Sequence, residues 1–113
     1  MSDELLPAAT REIARKRKEL APETMAKFTE FSKQVFAEGA LDSKTKQLIA
    51  VAVAHTTQCP YCITGHTKAA RKSGATPEEV MEAIWVAAEM RAGGAFAHST
   101  IAIHTMFAEE DEG

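Results

Sequence analysis

The chain has 113 residues, a formal net charge of -3, and 45% hydrophobic and 26% charged residues. This length and composition predict one globular domain over residues 1–113, with residues 1–8 and 109–113 loosely ordered. The charge balance offers no broad basic field to displace counterions from nucleic acid, so no nucleic-acid partner is expected. The start of the chain lacks a secretory signal pattern, and no apolar run of 18 residues occurs, so we expect a cytoplasmic protein with no membrane partner.

Helical patterns dominate the chain and predict an all-α fold, a compact helical domain of about five to six helices. No segment shows the apolar and polar alternation of a strand. The basic run at residues 11–18 is interrupted by Ile13 and Ala14, which favours a solvated helix face. Pro22 opens the next helix, which carries an apolar stripe at helical spacing and is expected to end with Gly39 as its C-cap.

The third predicted helix begins after Asp42 or Ser43 and is apolar on every side between residues 48 and 54. A helix of that kind is buried on all faces, so it is expected to be the central helix. Pro60 suits the first turn of the following helix, with Cys59 as its N-cap. The sequence therefore predicts a sharp junction between two helices at this cysteine.

That following helix is expected to end at Gly74, which serves as its C-cap. Thr76 and Glu79 then form a capping box at the start of another helix. Two consecutive glycines, Gly93 and Gly94, are expected to interrupt this helix. A last helix should follow them and end before the acidic stretch EEDEG at the end of the sequence.

A short segment at residues 55–66, HTTQCPYCITGH, holds both cysteines of the chain and two of its four histidines. In a reducing compartment the C-x-x-C spacing favours metal binding or redox chemistry over a structural disulfide. Cys62 falls in the first helical turn, where free N–H groups and the helix dipole are expected to lower the pKa of its thiol. His66 follows one turn later, within reach to take the proton. Cys59 is near enough to close a disulfide with Cys62, so the pair can cycle against a peroxide.

The identity of the attacking cysteine is open at this point. The first cysteine of a C-x-x-C pair is the usual nucleophile, but here the histidine aligns with the second. We favour Cys62 as the attacking residue and Cys59 as the resolving residue. Two other interpretations stay open: a zinc half-site completed by His55 and His66, and two buried cysteines that act as small hydrophobic residues.

The stretch at residues 46–98, with CPYCITGH within it, resembles the carboxymuconolactone decarboxylase and alkyl hydroperoxidase D family, in particular its small one-domain members. The resemblance implies an alkyl hydroperoxidase D-like fold, a homotrimer or hexamer, and a dithiol-dependent peroxidase of antioxidant defence. It also implies that Cys62 is peroxidatic, that Cys59 resolves and that His66 transfers protons. The expected partners are a hydroperoxide substrate and an external dithiol or lipoyl-type reductant, with no bound cofactor and no metal.

One position departs from the family's peroxidase pattern. The family places a relay glutamate twelve positions before the first cysteine, and this position is Gln47, whose amide cannot shuttle a proton. His55 is a candidate substitute relay, and Glu89 and His98 are further candidates. The alternative functions are a redox sensor or interaction protein without turnover, and a carboxymuconolactone decarboxylase-type enzyme, although the cysteine pair argues against the decarboxylase branch.

Overall fold

The structure, a computed structural model, describes residues 6–112, with side chains described through residue 108. Across that part of the chain it contains five α-helices and no strand, which confirms the predicted all-α fold. The helices are α1 (Arg11–Leu20), α2 (Pro22–Phe36), α3 (Ser43–Thr57), α4 (Pro60–Lys72) and α5 (Pro77–Glu112). None of the helices in residues 6–112 is long and apolar enough to cross a membrane.

The chain divides into two compact units, one through Ser43 and one from Lys44 onward. The single domain expected over residues 1–113 stays a prediction. The loosely ordered ends that the sequence suggests fall partly outside the described residues, which exclude 1–5 and 113.

The first unit contains α1 and α2. Thr10 caps α1 by accepting a hydrogen bond from the Ile13 N–H at 3.2 Å, and α1 has no buried residue, which confirms the solvated basic face. The C-cap expected at Gly39 is wrong, because α2 ends at Phe36. The Ser43 hydroxyl donates to the Phe36 carbonyl at 3.2 Å and satisfies an acceptor that would otherwise need a further helical turn.

The core of the second unit joins α3, α4 and the start of α5. Its members are small or β-branched, and Leu48 and Ile84 pack against them; they are Val51, Ala70, Ala75 and Val80. The expectation that α3 is buried on every side is wrong, since Ile49 and Val53 are 47% and 52% exposed. Within this unit α3 therefore buries only one face, and apolar side chains on its other faces are exposed.

The end of α4 and the start of α5 have the capping residues that the sequence predicts. Gly74 follows the end of α4 with φ 99°, as expected for a helix-ending glycine. Thr76 and Glu79 form the predicted capping box: the Thr76 N–H donates to Glu79 Oε1 at 2.9 Å, and the Glu79 N–H donates to Thr76 Oγ1 at 3.0 Å.

Two predictions about the last third of the chain are wrong. Gly93 and Gly94 do not interrupt the helix, because α5 continues from Pro77 to Glu112, beyond the end expected before the acidic tail. A Cβ added at Gly94 would meet nothing within 4 Å, so no close contact requires a break at this point. Glycine costs a helix about 1 kcal/mol relative to alanine, which good helix formers on both sides can offset.

Candidate redox site

The junction between α3 and α4 is a Schellman-type helix end. Gln58 adopts φ 58°, the left-handed conformation that glycine commonly supplies at this position. The next N–H, that of Cys59, donates back to the Ala54 carbonyl at 3.1 Å. Only Gln58 therefore separates the last residue of α3, Thr57, from Cys59, the N-cap of α4, which confirms the sharp junction predicted at Cys59.

Cys59 is the N-cap of α4, as the sequence predicted, with Pro60 in the first turn. Its Sγ accepts a hydrogen bond from the Cys62 N–H at 3.2 Å, and its carbonyl accepts from the Ile63 N–H at 2.9 Å. The two cysteines form a disulfide in the structure, with their Cα atoms 5.2 Å apart. The helix start therefore holds both sulfurs side by side.

The two cysteines differ in their access to solvent. Cys62 is exposed, whereas Cys59 is half-buried. A thiolate at Cys59 would receive the hydrogen bond from the Cys62 backbone, and a thiolate at Cys62 would lie nearer to solvent in the positive field of the helix end. Each cysteine thus has one feature of a nucleophile.

His66 and Gln47 face each other across α4 and α3. The His66 Nδ1 lies 2.8 Å from Gln47 Oε1, and both residues are half-buried. An amide oxygen can only accept, so Nδ1 carries the proton and donates it in this bond. In a neutral ring Nε2 is then the basic nitrogen, which is the arrangement that a proton acceptor needs.

The packing of α3 on α4 explains this contact between residues 19 positions apart. Gln47 lies one helical turn before Val51, and His66 lies one turn before Ala70. Val51 and Ala70 are both fully buried in the same core cluster. Residues four apart share a helix face. The packing that places Val51 and Ala70 in one buried cluster therefore also turns the Gln47 amide and the His66 imidazole toward each other.

The other candidate relay residues have different surroundings. His55 Nδ1 lies 2.8 Å from the Val51 carbonyl of its own helix, which fixes its ring by a local bond. His98 Nδ1 lies 2.8 Å from the Gly94 carbonyl, again within one helix. The carboxylate of Glu89 lies beside Gly93, 3.5 Å from the position of an added Cβ. Gln47, by contrast, accepts its hydrogen bond from His66 on the neighbouring helix.

The zinc interpretation would need Cys59, Cys62, His55 and His66 to converge on one point. Within residues 6–108 no three His, Cys, Asp or Glu side chains are grouped so that they could hold a metal ion.

One residue near the junction was not anticipated from the sequence. Arg91 on α5 donates from Nη1 to the Thr56 carbonyl at 2.8 Å, across 35 positions of the chain. No short motif connects these two positions, so spacing gives no signal for the contact.

Comparison with known proteins places this helical fold and its cysteine pair in a family. A model of the carboxymuconolactone decarboxylase family matches residues 22–105, and the chain belongs to that family. A protein of Paracoccus denitrificans named uncharacterized protein 4 in cox locus is 70% identical over 76 residues, which cover 67% of this chain and 68% of that protein.

Solved structures agree with this assignment. A carboxymuconolactone decarboxylase family protein from Legionella pneumophila is 43% identical, with a TM-score of 0.64 and 70% of each chain covered. A family member from Thermotoga maritima is 26% identical, with a TM-score of 0.57 over 80% of this chain and 96% of that chain. Its description suggests a part in an antioxidative response for that protein.

Proposed function

We propose that this chain is a dithiol-dependent hydroperoxidase that reduces peroxides through the Cys59 and Cys62 pair. The observation that carries the proposal is the Cys59–Cys62 disulfide at the start of α4, one turn before a histidine oriented by Gln47. Membership in the family and the antioxidative description of the Thermotoga maritima relative support it.

The first step of the proposed reaction oxidises Cys62. His66 takes the thiol proton at Nε2, and the thiolate attacks one peroxide oxygen. The S–O bond forms as the O–O bond breaks, and the leaving alkoxide takes a proton from the imidazolium. Sulfur loses two electrons and becomes a sulfenic acid, whose hydroxyl comes from the attacked peroxide oxygen. The rest of the peroxide leaves as an alcohol. The exposure of Cys62 supports its assignment to this step.

The second step closes the disulfide. The Cys59 sulfur attacks the Cys62 sulfenic acid, the S–S bond forms, the S–O bond breaks, and the hydroxide leaves as water after it takes the thiol proton. An external dithiol then returns two electrons and two protons by thiol–disulfide exchange and is itself oxidised to a disulfide. A lipoyl-type reductant has this chemistry, and none of these steps requires a bound cofactor.

A homotrimer or hexamer is part of the same proposal. The outer surface of α5 carries large apolar side chains that stay exposed in a single chain, and surfaces of this kind support an interface between copies. These residues are Met81, Trp85, Val86, Met90, Phe96, Ile101, Ile103, Met106 and Phe107.

A redox sensor without turnover is the second candidate, and Gln47 favours it. The amide holds the His66 ring but cannot take up or release a proton as a carboxylate does. With slow proton transfer, the cysteine pair would form a disulfide in the presence of oxidant and would be reduced to the dithiol only slowly.

Turnover separates the two candidates. Purified chain is mixed with a dithiol, either dithiothreitol or dihydrolipoamide, and with cumene hydroperoxide, and peroxide loss is followed over many equivalents. We expect multiple turnovers that vanish in Cys62→Ser, while Cys59→Ser, reduced beforehand and assayed without dithiol, consumes about one equivalent. Oxidation of one equivalent by the unmodified chain, with no further consumption, would support the sensor. Decarboxylation of small carboxylated lactones by both cysteine variants would instead support the decarboxylase-type alternative.

A further inference from the structure

The end of α3 is held by a residue from another helix. Carbonyl groups in the last turn of a helix lack partners within it, and here the Thr56 carbonyl accepts a hydrogen bond from Arg91 Nη1 at 2.8 Å. A guanidinium at this place also meets the negative end of the helix dipole. Arg91 is exposed and lies on α5, so it ties the end of α3 to a helix outside the junction.

The hydrogen bond from Arg91 to Thr56, which we call the Arg91 tie, lies three residues before Cys59. Between Thr56 and Cys59 the chain passes through Gln58 in its left-handed conformation, and the Cys59 N–H returns to the Ala54 carbonyl. The backbone that presents the Cys59 sulfur is therefore built on the last turn of α3. Whatever holds that turn in place also limits the movement of the sulfur.

We propose that Arg91 is a positioning residue for the Cys59 and Cys62 pair, which shifts the dithiol–disulfide equilibrium toward the disulfide. The inference rests on the redox cycling in the proposed function, but it does not depend on peroxide as the oxidant. In this proposal Arg91 acts through the Thr56 carbonyl and does not itself touch a reacting sulfur.

The direction of the effect follows from the two redox states. In the disulfide the covalent bond itself keeps Cys59 beside Cys62, so the Arg91 tie adds little order. In the dithiol the same placement depends on noncovalent bonds, of which the Arg91 tie is one. Loss of the tie gives the dithiol more freedom, lowers the effective concentration of one sulfur at the other, and makes disulfide formation less favourable.

The test is a redox titration of the purified chain in dithiothreitol buffers, with acid quenching, alkylation and mass measurement of the oxidised fraction. We expect Arg91→Met to lower the equilibrium constant for disulfide formation about two- to fivefold, the size of an exposed charge at a helix end. A fivefold change is about 20 mV for this two-electron couple. Arg91→Lys, which keeps a cation and a donor, should recover part of the loss.

Arg71→Met is the matched control, because Arg71 is exposed in the last turn of α4. Arg71 lies about 18 Å along the helix from Cys59, farther than the screening length of about 10 Å at 0.1 M salt, so its charge has little effect on the cysteine pair. An unchanged constant in Arg91→Met, an equal shift in Arg71→Met, or a pair that does not cycle reversibly would each overturn the inference. Absence of peroxide turnover in the unmodified chain would overturn the peroxidase proposal alone, since the titration uses no peroxide.

Discussion

Gln47 on α3 and His66 on α4 meet in a 2.8 Å hydrogen bond, one helical turn from the buried contact region of Val51 and Ala70. The bond orients the imidazole, but the Gln47 amide is neutral and does not gain or lose a proton as a carboxylate does. Orientation and proton relay, which a glutamate would combine, are thus separated at this site. The consequences can be measured on both sides of the bond.

Gln47→Glu should raise peroxidase kcat/KM about tenfold or more. A carboxylate at this position both accepts from His66 and exchanges protons, and its charge stabilises the imidazolium that forms during proton transfer. Gln47→Leu removes the acceptor and should lower kcat/KM about tenfold, the value of one hydrogen bond of about 1.4 kcal/mol. Steady-state kinetics across pH 5 to 9, a range chosen around the ordinary histidine pKa of about 6.5, will show both effects. Gln34→Glu on α2 is the control for added charge, and equal rates for the two Gln47 variants would contradict the role.

In the reduced chain, alkylation should be faster at Cys62 than at Cys59. Cys62 is exposed in the first turn of α4, and Cys59 is half-buried. The apparent pKa of the Cys62 thiol should lie below the ordinary value of about 8.5. The rate of iodoacetamide reaction at each cysteine, followed by peptide mass across pH, measures this directly. A faster Cys59 would exchange the attacking and resolving roles, in line with the N–H that its sulfur accepts.

Gln58→Gly should stabilise the chain. Left-handed φ costs an L-residue about 1 kcal/mol or more, and glycine removes this cost while it loses some chain entropy, so we expect a gain of about 0.5 kcal/mol in the free energy of unfolding. Gly74→Ala is the converse test, because φ is 99° there and an added Cβ meets nothing within 4 Å. It should lose about 1 kcal/mol or more through backbone conformation alone. Urea unfolding measures both, and a destabilised Gln58→Gly would show that the Gln58 side chain has a stabilising role.

Gly94→Ala should also stabilise the chain, by about 0.5–1 kcal/mol. The residue lies within α5, and an added Cβ would meet nothing within 4 Å. Thermal unfolding compares this variant with Ala95→Gly, which should lose a similar amount at the adjacent position. A loss of stability in Gly94→Ala would contradict a continuous helix with open space at this point.

Acid should weaken the start of α5. The Thr76 N–H and then the Lys44 ammonium hold the pKa of Glu79 below its ordinary value of 4.5. Because the folded pKa is depressed, the stability from these bonds is present above about pH 4.5 and is lost as the pH falls through the folded pKa. Glu79→Gln should therefore show a shallower fall of Tm between about pH 5 and pH 3 than the unmodified chain. Glu78→Gln, at the neighbouring exposed position, should keep the original slope.

Local signals predicted the parts of the fold that depend on neighbouring residues. The capping box of Thr76 and Glu79 spans four consecutive residues, and the helix start at Cys59 and Pro60 depends on two neighbouring residues, so both could be recognised from sequence. The break expected at Gly93 was wrong because propensity is a small energy that the rest of a 36-residue helix outweighs.

The C-x-x-C-x-x-x-H pattern was enough to place two sulfurs at a helix start with a histidine one turn later, because a helix places residues four apart on one face. Which groups from other helices meet this segment depends instead on how the helices pack. The hydrogen bonds that His66 donates to Gln47 and that Arg91 donates to Thr56 span 19 and 35 positions. An apolar pattern shows which face of a helix is buried, but the rotation and register of two packed helices depend on how their side chains interlock.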